Sequence, residues 1–117
     1  MKRILVVILS ASIFASMMQA MTLKQAKDLY KAGRFADALP AMEEFYKKTP
    51  KNASYNQWYG ACLYETGKKA ESEKYFKYAL DKKVADAARY LAQLSLERMD
   101  YAAFALYLEQ FTEMIDG

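Results

Sequence analysis

Chemistry in a small protein starts with its nucleophilic and ionisable side chains, and here the choice is narrow. The 117-residue chain has no histidine and one cysteine, Cys62. The usual neutral-pH base and an activated thiol nucleophile are therefore missing. No intramolecular disulfide can form, and a zinc site would lack its commonest ligands. Cys62 lies among Tyr59, Gly60, Ala61 and Leu63, a setting in which a free cysteine acts as a small hydrophobe. Carboxylates remain. Glu43, Glu44, Glu71 and Glu73 all sit among lysines on outward faces of expected helices, which is the pattern of solvated surface charge. Gly33 and Gly67 are isolated glycines 34 residues apart, so no glycine-rich phosphate loop is present. The expectation is a protein without catalytic residues, cofactor or metal.

The N-terminal stretch has a different character from the rest. Lys2 and Arg3 precede an apolar run from Ile4 to Phe14, followed by the small-residue region Ala15 to Ala20. This order is that of a secretory signal peptide, with cleavage expected after Ala20. The alternative, an uncleaved anchor, is disfavoured by length: Ile4 to Met18 is 15 residues, whereas a membrane-spanning helix needs roughly 20. The protein is thus expected to be exported to the periplasm or envelope, touching a membrane only through residues 1–20 if they are retained. Removing Lys2 and Arg3 leaves 15 basic and 14 acidic residues, a balance that does not indicate a nucleic-acid surface. The distribution is uneven: residues 21–83 carry 13 Lys and Arg against 8 Asp and Glu, and residues 84–117 carry 2 against 6. Solvated helix faces account for this asymmetry, although it would also suit an acidic partner or head-to-tail packing.

Residues 21–117 read as one all-α domain, because no useful length alternates with the period of a strand. Thr22 and Gln25 form a capping box for a helix ending near Ala32, with Gly33 as its left-handed terminator. A second helix covers about Phe35 to Lys48. Pro40 inside it suggests a late start or kink near Asp37, since proline is harmless only in a first turn. Ser54 and Gln57 suggest a capped third helix from Tyr55 to Thr66. Three more follow, over about Lys69 to Lys82, Val84 to Arg98 and Asp100 to Ile115.

The segments repeat. A shift of 34 residues carries Ala26 onto Gly60, Leu29 onto Leu63, Tyr30 onto Tyr64 and Gly33 onto Gly67; a shift of 32 then carries Gly60 onto Ala92, Tyr64 onto Leu96 and Phe76 onto Leu108. The link into the third unit is about two residues short. This period and these residue types resemble the tetratricopeptide repeat. Its small first-helix residue appears as Ala26, Gly60 and Ala92, its inter-helix glycine as Gly33 and Gly67, its second-helix packing residues as Ala38 and Ala79, and its closing proline as Pro50. Ser72, Val84 and Met99 depart from the pattern, and Met99 stands where the third turn should have glycine. The resemblance implies a right-handed α-solenoid of about three helix-turn-helix repeats, spanning about residues 21–52, 53–84 and 85–117.

It also implies a non-catalytic module that binds a protein, peptide or partner helix in the concave groove lined by the first helix of each repeat. Carried over position by position, that groove presents Lys27, Tyr30 and Lys31, then Gln57, Tyr64 and Glu65, then Arg89 and Gln93. Tyr30 and Tyr64 combine a rigid apolar face with a hydroxyl, which suits peptide recognition; packing between repeats is the competing role for both. The Lys/Asn set with which some relatives clamp a terminal carboxylate is absent. In the last helix Tyr101, Phe104, Tyr107, Leu108 and Phe111 make an apolar face broader than one neighbour requires. Repeat arrays usually end in a polar cap, so this face either packs inward or docks another chain, making the protein a possible homo-oligomer and self-association the alternative function.

Overall fold

The computed structural model describes residues 21–116, and the expected signal peptide therefore lies outside the described residues. The described chain is all-helical: α1 (Leu23–Lys31), α2 (Phe35–Lys48), α3 (Ala53–Glu65), α4 (Lys69–Asp81), α5 (Ala85–Glu97) and α6 (Tyr101–Asp116). Each packs against its sequence neighbours, and α3 also touches α5. None of these helices is long and apolar enough to cross a membrane.

Helix starts depend on which side chain reaches the free amides. At α1 the capping box forms as its sequence suggests: Gln25 N donates to Thr22 Oγ1 at 3.2 Å, and Thr22 N to Gln25 Oε1 at 2.9 Å. At α3 the cap is Asn52 rather than Ser54. Its Oδ1 accepts from Tyr55 N at 3.0 Å, and the helix starts at Ala53. Asn56 then donates to the carbonyls of Pro50 and Asn52, fixing the approach from the preceding turn. The span expected for α2, Phe35 to Lys48, is the one observed, and of the two adjustments expected near Asp37 the late start does not occur. That helix begins at Phe35 with Pro40 inside it; Asp37 lies in its first turn, 2.8 Å from Arg34 Nη2, where a carboxylate suits the helix dipole.

Helix stops follow one device. In the three-residue connections the middle residue is left-handed: Gly33 (φ +77°), Gly67 (φ +93°), Lys83 (φ 69°) and Met99 (φ 61°). Each time the next amide reaches back five residues, Arg34 N to Leu29 O, Lys68 N to Leu63 O, Val84 N to Ala79 O and Asp100 N to Ser95 O, at 2.8–3.0 Å. These are Schellman turns, in which orphan carbonyls of the last turn are satisfied. Met99 therefore builds the same turn that glycine builds in the first two repeats. The two-residue deficit has an equally local origin: α4 is one residue shorter than α2, and residues 82–84 replace the four-residue, proline-containing connection 49–52.

The small residues sit where helices approach. A Cβ on Gly60 would lie 3.1 Å from both Tyr75 Cβ and the Phe76 ring. Ala26, Ala38, Met42, Tyr59, Cys62, Leu63 and Tyr75 form one core cluster; Ala61, Tyr64, Phe76, Ala79, Ala87, Tyr90, Leu91 and Leu94 form the next. Rings interlock within and across the repeats, Tyr59 against Tyr75 at 4.8 Å inside the second and Phe76 stacked on Tyr90 at 4.6 Å between the second and third. Ser72, where the repeat pattern has alanine, is fully buried and donates to Lys69 O at 2.6 Å, so its hydroxyl is satisfied inside its own helix.

Candidate functional site

The first helices α1, α3 and α5 converge on Tyr30. Its ring packs against both core clusters, edge-on to Phe35 at 5.5 Å and tilted toward Trp58 at 6.4 Å. Burial and the nearby Tyr90 hydroxyl and Asp86 carboxylate hold its phenol well above the ordinary range. Those two neighbours belong to the third repeat, so one side chain of the first repeat feels groups from all three.

Around it lie the remaining candidates, and their surroundings differ. Lys27 holds its ammonium 5.4 Å from the centre of the Trp58 ring, a cation–π placement. Lys31 is exposed. Arg89 donates through Nε to Asp86 Oδ1 at 2.7 Å and through Nη2 to Asp86 Oδ2 at 3.3 Å, while its side chain stays half exposed. Part of its guanidinium fork is thus free to meet an acceptor. Glu65 and Gln93 are exposed, and Glu65 accepts from the Tyr90 hydroxyl at 3.3 Å.

Gln57 and Tyr64 sit in the interior, at 3% and 8% exposure. Tyr64 packs edge-on to Tyr90 at 5.2 Å, carries the Lys69 ammonium over its ring at 4.9 Å and donates its hydroxyl to Glu97. That hydrogen bond is the main reason the Glu97 carboxyl is held below the usual range. Of the two tyrosines, only Tyr30 reaches the groove surface. Gln57 donates to Asp86 across a long 3.4 Å contact, and its Oε1 is buried without a donor. This orphan acceptor beside the Asp86–Arg89 pair is the most polar unmet demand in the described structure.

Trp58 and Asp86, both half-buried, and the buried Tyr90 flank Tyr30, although the groove positions carried over from the sequence did not include them. A signal existed for Tyr90: the 32-residue shift carries Trp58 onto it.

Cys62, Glu43 and Glu73, singled out in the sequence as able to react, are buried or paired. Cys62 is fully buried, and burial, with Glu65 nearby, pushes its thiol up to about 12. Glu43 pairs with Lys47 at 3.0 Å, and Glu73 with Lys77 at 3.1 Å and Arg98 at 2.8 Å. No three His, Cys, Asp or Glu residues among the described residues are grouped to hold a metal ion.

The C-terminal face divides in two. Phe104, Tyr107 and Phe111 are half-buried, with Tyr107 packed on the second core cluster. Tyr101 and Leu108 point outward, at 64% and 43% exposure. A cleft of about 570 Å³ between α4 and α6, lined by Leu80, Leu106, Tyr107 and Met114 with Lys77 and Lys83, lies on the other side of α6.

A family model, described as Tetratricopeptide repeat, matches residues 23–84. Comparisons with curated proteins and with solved structures give no match. The matched span stops at Val84, where the register shortens by two residues.

Proposed function

Because the chain belongs to the tetratricopeptide repeat family, whose members generally mediate protein–protein interaction, we propose that it is a non-catalytic module that captures a peptide or partner helix in the cell envelope. The observation that carries this reading is the convergence of α1, α3 and α5 on Tyr30. It gathers an aromatic floor of Tyr30 and Trp58, the cations Lys27 and Arg89, and the exposed amide of Gln93 on one side of the repeat stack. A chain segment offers backbone carbonyls that Arg89 can meet and side chains that rest on the rings. A rigid tyrosine face binds them at little cost in conformational entropy. Export rests on the charged start at Lys2 and Arg3, the apolar run to Phe14 and the small residues up to Ala20.

Site-specific photocrosslinking in intact cells tests both parts. A photoreactive residue at Lys31 or Gln93 is expected to trap the same partner, and one at Lys47 on α2 to trap none. Arg89→Glu should abolish the groove adduct without changing helicity. The trapped chain should begin at Met21. Equal trapping from Lys47, or none from the groove positions, would remove the groove assignment; an adduct retaining residues 1–20 would remove cleavage.

A further inference from the structure

The cleft of about 570 Å³ between α4 and α6 has a filled counterpart one repeat earlier. Between α2 and α4 the Tyr46 ring packs edge-on to Tyr75 at 5.0 Å and stacks on Tyr59 at 5.4 Å. Tyr78 closes the end of that junction by donating its hydroxyl to Lys51 O at 3.0 Å. Rings and a hydroxyl thus occupy the space that two successive second helices leave between them.

The shifts that align the repeats, 34 and then 32 residues, carry Tyr46 onto Leu80, Tyr59 onto Leu91, Tyr75 onto Tyr107 and Tyr78 onto Gln110, with Lys51 falling on Lys83. Two of the rings have become leucine and a third an amide. Among the described residues no hydrogen bond joins Gln110 to Lys83 in the way that Tyr78 is joined to Lys51. Leu80, Tyr107, Gln110 and Lys83 all line the cleft. It therefore lies where the junction before it is filled by its own tyrosines.

The lining chemistry narrows the occupant. Leu80, Leu106 and Met114 give an apolar floor, with a thioether that suits a ring edge, and Tyr107 gives a ring that another can meet edge-on. The ionisable groups at the rim are Lys77, Lys83, Asp81 and Glu113, balanced in sign, so a neutral occupant is favoured. Gln110 and the Lys83 backbone offer a donor and acceptors for one polar tip. A pocket for a free small molecule encloses most of it, whereas this cleft stays open along Leu106, at 54% exposure, which suits a side chain carried by another molecule. We propose that the cleft receives a tyrosine side chain of a partner chain, which does in trans what Tyr46 and Tyr78 do within this chain one junction earlier. The site is on the second-helix side of the stack. It does not depend on the groove around Tyr30 being occupied.

Titration of the full chain with N-acetyl-tyrosinamide, followed by NMR, tests the assignment. The probe should shift the methyl resonances of Leu80, Leu106 and Met114. N-acetyl-phenylalaninamide should bind there about three- to tenfold more weakly for want of the hydroxyl, and N-acetyl-leucinamide more weakly still. Gln110→Tyr, which restores the residue type of Tyr78, should remove binding and raise the thermal midpoint. Leu106→Lys restores the residue type of Lys74 at an exposed position, and should remove binding with an unchanged circular dichroism spectrum. Free p-cresol should bind no more tightly than the tyrosine probe. No shift at the cleft, equal binding of the three amides, binding that survives both variants, or p-cresol entering where the tyrosine probe does not would each overturn the proposal.

Discussion

Tyr30 and Tyr64 show how far a single residue's role depends on its neighbours. They occupy the same place in successive repeats, and their spacing and type are identical in the sequence. The structure separates them through their partners. Glu97 accepts from Tyr64, and the repeat register makes Glu65 the corresponding partner for Tyr30; Glu65 instead accepts from Tyr90. Tyr64 is therefore locked between repeats, while the Tyr30 ring, packed on both clusters, keeps partial exposure. Gln57 is the other residue whose setting was not legible, because nothing local announces that an amide will be buried with an unmet oxygen. An orphan buried acceptor costs roughly 1–3 kcal/mol, and the 3.4 Å bond to Asp86 returns little of that. Gln57→Met is expected to raise stability by about 1 kcal/mol in urea unfolding. A loss of stability would show that the oxygen is engaged in solution.

At the scale of the helix, the turns carry the main lesson. Gly33 and Gly67 were readable as terminators because glycine adopts positive φ without a Cβ clash. Met99 and Lys83 make the same turn against that preference, since the hydrogen bonds from Asp100 N to Ser95 O and from Val84 N to Ala79 O hold the chain there. The left-handed conformation costs a residue with a side chain roughly 1–2 kcal/mol, partly offset by the greater freedom glycine would have when unfolded. Met99, at 74% exposure, gives up little packing. Met99→Gly and Lys83→Gly are each expected to stabilise by about 0.5–1 kcal/mol, read as a higher thermal midpoint; Gly33→Ala should lower it. The late start considered for α2 fails for a related reason. Pro40 forbids one amide bond, but the Arg34–Asp37 pair and the buried Ala38, Ala41 and Met42 favour the longer helix.

Across the whole molecule, the second and third repeats are joined by ionic contacts as well as by rings. Lys69 pairs with Glu97 at 3.1 Å and Arg98 with Glu73 at 2.8 Å. Glu97 is held below its ordinary value by the Tyr64 hydroxyl, and Glu73 by its hydrogen bond to Arg98. Because both folded values lie below the ordinary 4.5, their contribution is fully present above that pH and is lost as pH falls through the folded values. Thermal midpoints measured downward from neutrality should drop below about pH 4.5, and Glu97→Gln should flatten that drop; an unchanged slope would exclude Glu97 as a contributor. By itself the sequence determined the helices, the repeat period and the small residues at Ala26, Gly60 and Ala92, because these follow from hydrophobic spacing and local steric limits. Only the tertiary structure decided that Tyr64 and Gln57 are interior, that Trp58, Asp86 and Tyr90 gather around Tyr30, and that Tyr101 and Leu108 on α6 are exposed. Each of these depends on groups more than twenty residues away in the chain or on the absence of a covering face among the described residues, and a local pattern carries no information about either.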